Sequence, residues 1–396
     1  SYPSFGISAE EEQTPYTFGW AWQGASTSHN IVMVNTALEK GYYYYMFDRS
    51  LELGDDTVLV RKELVTQARK DLRDLEDAAW ASGYRLYSET NYTYIFHRDT
   101  PKTYGVTTKY LGLAIGKSAN TVTLEYPSIE EGFSENLSDY ALKDISKYQL
   151  IYLSGFTYDN KADVQELLLQ AANAGVKIII DMNRIPVDPL TSRMTFFGVT
   201  AQSITFNKQY PELMYRNKIY ESLPFKEEYS TWNTVYLENV NKILGYSWFK
   251  NKKLPFLATA GNSNIIFMGY NFLYHAMETN DSSIMGLMSD LLEIESNKLP
   301  ERTVKPYTVT FEEDKIIIDS PEGKLNTTLA YHDNFRSDQK IINQNNLLTV
   351  VESRTEIKTV YPYLLEGFTL STFGLFGFLL LIRIIYRKRG AHYEEK

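Results

Sequence analysis

The sequence predicts an α/β protein with a parallel sheet at its centre. A small N-terminal α+β unit precedes the sheet, a C-terminal β-sandwich-like module follows it, and one transmembrane helix ends the chain. Three observations lead there. Between about residues 107 and 296, nearly all-apolar strands alternate with helices, the pattern of a parallel sheet covered on both faces. Between 305 and 360, short runs such as YTVTF and EIKTVY alternate apolar and polar residues without a helical period. Gly367 to Tyr386 (GFTLSTFGLFGFLLLIRIIY) supplies about the 20 residues a helix needs to cross hydrocarbon.

The elements follow in order. TSHNIVMVNTALEKG reads as a short helix stopped by Gly41, and DTVLVR as a strand. Lys62 to Ser82 has the charged amphipathic period of one helix ending at Gly83. YRLYSE and YTYIFHR suit a hairpin around Thr90–Asn91. In the central part, strands are predicted over 108–116, 148–156, 176–181 and 264–271, and helices over 137–147, 161–173 and 281–295. Phe196 to Pro255 reads as an irregular, aromatic-rich insertion over one end of the sheet. The divisions are then 1–104, 105–298 and 299–362, a spanning helix over 363–387 and a cytoplasmic tail of 388–396.

Composition narrows the function. With no Cys in 396 residues, disulfides, Cys-ligated zinc, iron–sulfur sites and thiol nucleophiles are excluded. A formal charge of −9 argues against a nucleic-acid partner. The portion ahead of Gly367 is more acidic still, which suits neutral or cationic partners better than anionic ones. Arg383 lies near one end of the apolar run, where it can snorkel, and Arg387, Lys388 and Arg389 follow. The positive-inside bias makes that flank cytoplasmic and puts residues 1–362 outside the cell membrane. A chain opening on Ser1 without an export signal is expected to be the C-terminal piece of a longer protein, or a processed chain.

Short motifs add little chemistry. GLAIGKS (Gly112 to Ser118) is one residue short of a phosphate loop and suits a glycine turn after a strand. The five His residues are scattered without an i, i+4 pair, so no metal or cofactor site is predicted. Ser154 and His275 each follow a strand and Asp181 ends a third, where a Ser triad could gather, but Ser154 lacks the G-x-S-x-G elbow. Most rings of GWAWQG and GYYYYMFDR are expected to pack in cores. Trp22, Gln23, Tyr44 and Asp48 are the candidates for glycan contact, since rings stack on sugar faces while amides and carboxylates take hydroxyls.

Three stretches, YQLIYLSGF, AGVKIIIDMNR and NSNIIFMGYNFLYH, resemble the class I glutamine amidotransferase-like fold, a flavodoxin-like sheet. The resemblance puts the nucleophile elbow at Asp181-Met182-Asn183, an oxyanion turn at Ser154–Gly155 and His275 after a later strand. Active members carry a Cys at that elbow. Without a thiolate, glutaminase activity is excluded, and Ser154, Gly155, Asp181, Asn183 and His275 become degenerate positions of an inactive domain.

More widely, WQGASTSHN, YMFDRSLELGDDTVLVRKEL and the run into GFTLSTFG resemble the C-terminal extracytoplasmic part of bacterial 6-pyruvoyl-tetrahydropterin synthase-related membrane proteins. Those proteins are similar to polytopic glycosyltransferase-like proteins of surface-glycan assembly. The likeness implies a membrane-anchored, non-catalytic outer module of a surface-polysaccharide system, binding cell-surface glycan or a membrane glycan synthase. The alternative is the C-terminal part of a polytopic glycosyltransferase using a lipid-linked sugar donor. Pterin synthases need a three-His zinc site, which this sequence does not supply.

Overall fold

Strands without a polar break must be covered on both faces, and such strands form one half of a nine-stranded sheet. The computed structural model describes residues 28–188, 191–207, 209–225, 231–360 and 363–391. Across the large sheet the strands run Lys218–Tyr220, Leu213–Tyr215, Lys242–Phe249, Lys252–Ala260, Asn262–Met268, Lys177–Asp181, Leu150–Leu153, Gly112–Ile115 and Ile129–Glu131. The last five are mutually parallel. The first four pair antiparallel, so the sheet is mixed where a parallel one was predicted.

Alternation along each strand sends side chains to opposite faces. Ile178 and Ile180 pack with Val164 and Leu168 of the helix Lys161–Asn173. Ile179 packs on the other side with residues of Phe272–Thr279 and Ser282–Leu292. The first of these helices starts where the side chain of Asn160 accepts the amide of Ala162, an N-cap.

The stretch predicted to be irregular is built of hairpins. Val199–Phe206 pairs with Trp232–Glu238, and Lys242–Phe249 with Lys252–Ala260. The turns Arg216–Asn217 and Lys250–Asn251 have positive φ at both positions, the type I′ geometry that matches strand twist. The helix predicted over 137–147 is a 3₁₀ turn, Leu137–Asp139, and one short helix, Leu142–Ile145.

Ahead of the sheet, the helices Ser28–Lys40 and Tyr43–Leu53 pack with a three-stranded sheet ordered Thr57–Arg61, Thr93–His97, Arg85–Glu89. The single helix predicted from Lys62 is two, Lys62–Gln67 and Leu72–Ala81. The break falls at Arg69, with φ of 58°, and the chain restarts on an Asp71–Asp74 capping box.

Two further sheets, of five and four strands, enclose a small core containing Ile318, Leu348 and Ile357. One strand comes from far upstream. Tyr104–Lys109 pairs in register with Glu301–Pro306, from Tyr104 opposite Pro306 to Lys109 opposite Glu301. Residues predicted to open the central sheet thus belong to this module, and the central sheet starts at Gly112.

The chain ends in the helix Leu364–Ala391. Its first 21 residues, Leu364–Ile384, have a mean hydropathy of 1.8 and none of them is covered by the rest of the chain. At 1.5 Å per residue they span about 30 Å, the thickness of a hydrocarbon core. The hydroxyls of Thr369 and Thr372 donate to the carbonyls of Leu365 and Phe368, four residues back, which satisfies them away from water.

Candidate functional site

The carboxyl edge of the parallel strands brings together some of the residues singled out in the sequence. The apolar strand Leu150–Leu153 delivers Ser154 and Gly155, and Lys177–Asp181 delivers Asp181 and Asn183. The Ser154 hydroxyl donates to Asp181 Oδ2 at 2.8 Å. Asp181 Oδ1 accepts both the backbone amide (3.0 Å) and the side-chain Nδ2 (2.9 Å) of Asn183. Asn183 also donates to the Gly269 carbonyl and accepts from Thr234, so a chain of polar groups closes over the strand ends.

Two glycines allow this tight approach. Gly155 has φ of 71°. At Gly116, with φ of 116°, a Cβ would overlap the Ser154 carbonyl oxygen. The space left is a cavity of about 140 Å³ lined by Ser118, Tyr152, Ser154, Asp181, Arg184 and Glu278, among others.

The Ser154 hydroxyl is hydrogen-bonded to a buried carboxyl and not to an imidazole. Burial raises the Asp181 carboxyl above its ordinary value, opposed by the hydrogen bonds from Asn183 and Ser154 and by Arg184. Activating a Ser hydroxyl needs a basic partner such as an imidazole. His275 is not that partner. Its Nε2 lies 2.8 Å from the Leu223 carbonyl, and its ring packs on Trp232 with centroids 4.3 Å apart. Burial lowers its pKa and keeps it neutral. Ser154 and Asp181 meet; His275 serves a neighbouring aromatic cluster with Tyr210 and Phe225.

The glycan candidates fare differently. Trp22 and Gln23, like the tail beyond Ala391, lie outside the described residues. Tyr44 is half-buried on the helix Tyr43–Leu53. Asp48 is 4% exposed and is gripped by Arg302, whose Nε and Nη2 donate at 2.9 and 2.6 Å. A bidentate, buried pair of this kind leaves Asp48 engaged within the protein, not presented to a sugar. Glu52, one helical turn on, is fully buried and accepts from Arg49, Asn326 and Asn345. Asp48, Arg49, Glu52 and Arg302 form a charge-balanced knot between the N-terminal unit and the C-terminal module.

Beside that knot opens a cleft of about 630 Å³ which no sequence motif announced. Its floor is the three-residue strand Ile129–Glu131, and its roof is the hairpin joining Ile341–Gln344 to Leu347–Val350. Asn345 and Asn346 turn that hairpin with φ of 54° and 63°. Glu130 is 9% exposed and accepts from Tyr148 Oη at 2.5 Å and Gln344 Nε2 at 3.0 Å. Glu131 lies 2.9 Å from His29 Nε2, and that hydrogen bond raises the imidazole pKa. Phe133, two-thirds exposed, lines the same cleft with its ring 4.3 Å from that of Tyr140. Among the described residues no group of three His, Asp or Glu side chains is placed to hold a metal ion.

Residues 111–275 match the family model DUF8560, a domain of unknown function. Residues 1–109 match a second domain of unknown function, DUF8559. The two meet around Tyr110, where the chain passes from Tyr104–Lys109 into the central sheet. No curated protein matches the chain. Among solved structures, it is similar to alpha-L-fucosidase isoenzyme 2 from Paenibacillus thiaminolyticus, with 10% identity and a TM-score of 0.33 over 81% of this chain and 57% of that one. It is also similar to a polyextremophilic beta-galactosidase from the Antarctic haloarchaeon Halorubrum lacusprofundi, with 9% identity and a TM-score of 0.33 over 65% of this chain and 41% of that one. The chain thus spans about half the length of these structures.

Proposed function

We propose that this chain is the membrane-tethered, extracytoplasmic, non-catalytic module of a bacterial surface-polysaccharide system, holding glycan or a partner synthase. In this reading it is related to the 6-pyruvoyl-tetrahydropterin synthase-related membrane proteins, and its central domain is a flavodoxin-like, amidotransferase-like domain without chemistry. The five parallel strands, numbered along the chain, lie in the order 2-1-3-4-5, which supports a doubly wound ancestry. The observation that carries the non-catalytic assignment is the Ser154 hydroxyl spent on Asp181, with His275 bonded elsewhere. The apolar helix Leu364–Ile384 with basic residues after it supports the tether and its direction.

Because the chain lacks Cys, single-Cys variants report topology cleanly. In intact cells a membrane-impermeant maleimide should label Ser353→Cys, while Glu394→Cys should react only after lysis. Labelling in the reverse order overturns the outer placement. Retardation of the protein in gels containing surface polysaccharide is the expected sign of the glycan role. Unretarded migration in every polymer tried, with no synthase retained in a pull-down, removes both halves of the binding assignment.

A further inference from the structure

We propose that the cleft between the strand Ile129–Glu131 and the hairpin at Asn345–Asn346 binds a saccharide carrying a free amino group, a hexosamine unit, with Glu130 as the ammonium acceptor. This names a ligand class and rests on the glycan half of the function proposed above.

The size fits: about 630 Å³ falls in the range of small-molecule sites, roughly 300–1,000 Å³. The lining has two parts. Phe133 presents an exposed ring backed by Tyr140, a platform for the apolar face of a pyranose. Glu130, Glu131, Gln344 and the Asn343–Asn346 turn supply flat polar groups suited to hydroxyls.

Charge then selects among sugars. A buried carboxylate is ordinarily paired with a cation, because removing it from water is costly. Glu130 is nine-tenths buried, yet the partners that hydrogen-bond it, Tyr148 and Gln344, are neutral. The acid next to it, Glu131, is shared with His29, and the acid behind the roof, Glu52, is taken by Arg49 and Arg302. The other acid lining the cleft, Asp144, is half-buried and accepts the Ala141 amide in its own helix cap, which leaves Glu130 as the buried carboxylate of this cleft whose charge a ligand can complement. Arg49 also lines the cleft, but its charge is taken by Glu52; three lysines, Lys147, Lys324 and Lys340, line it as well and oppose a cation. All three are exposed. Exposed charges are weakened by the high dielectric of the water around them, whereas a desolvated carboxylate keeps more of its field. The buried acid decides.

The test uses the whole chain in detergent and isothermal titration. A glucosamine trisaccharide should bind at least tenfold tighter than its fully N-acetylated counterpart. Glu130→Gln, which keeps the side-chain size, should erase that preference. Phe133→Ala, at an exposed position, should weaken both sugars several-fold without moving the melting temperature, guarding against a folding defect at Glu130. Equal affinity for the two sugars, tri-lysine bound as tightly as the amino sugar, or a preference surviving Glu130→Gln would each overturn the proposal. If neutral glycans bind and the glucosamine trisaccharide does not, this inference falls while the glycan-binding function stands. If no saccharide binds, both fall.

Discussion

Asp181 and Glu130 are carboxylates on the same sheet, each more than nine-tenths buried, and their surroundings lead in opposite directions. Asp181 receives three donors from Ser154 and Asn183, all within the central unit, and beside it only about 140 Å³ remains. Glu130 receives two donors, one of them from a hairpin more than 200 residues away, and faces about 630 Å³. A carboxylate satisfied by its own loop closes its site. One whose partners come from separate units is left at a seam, and seams between units are where ligand clefts form.

That contrast can be broken from its support outward. Arg302→Met should do most damage, destabilising the chain by about 3–5 kcal/mol in chemical denaturation, because Asp48 is then buried without its cation and Glu52 keeps only Arg49. It should also release the hairpin carrying Gln344, read as faster amide exchange there.

A third carboxylate sharpens the picture. Glu125, at another seam beside Lys70, has its pKa raised to about 7 by burial, with Lys70 opposing. The folded state therefore holds this proton more tightly than the unfolded chain. Its stabilising effect is complete below pH about 4.5 and fades as pH rises through 7, a loss of roughly 3 kcal/mol. Glu125→Gln should flatten that decline when melting is compared at pH 5 and pH 8, and an unchanged slope would discount the shift.

Smaller effects are expected where Asp181 is already secure. Asn183→Ala removes a side-chain donor to Asp181 and should cost about 2 kcal/mol in thermal unfolding. Ser154→Ala should cost about 1 kcal/mol and leave cell-surface polysaccharide yield unchanged. A loss of yield with the fold intact would return Ser154 to candidate catalytic status.

Legibility in the sequence followed locality. The helix Lys161–Asn173 and the strand Lys177–Asp181 were readable because cap, period and apolar run all lie within a few residues. The hairpins of 199–260 were not, since their turns use Arg216–Asn217 and Lys250–Asn251 where a glycine signal was sought. The break at Arg69 was hidden for the same reason, the charged helical period continuing across it. At the sheet edge, Ser154 and Asp181 could be placed together because one directly follows its strand and the other ends its own. The burial of Asp48 was not legible, because its partner, Arg302, stands 254 residues away. Glu130 gave no signal at all: a three-residue strand has no period to read, and its cleft exists only once three units meet.

The pairing of Tyr104–Lys109 with Glu301–Pro306 has a mechanical consequence. The central unit leaves and rejoins the polypeptide at the same end of one strand pair, so it hangs from the chain as a closed loop. Tension between the N-terminal unit and the terminal helix passes across that pair and by-passes the loop. Under a steady pull the large sheet should stay slack and fold-competent, unravelling only after those two strands have unzipped.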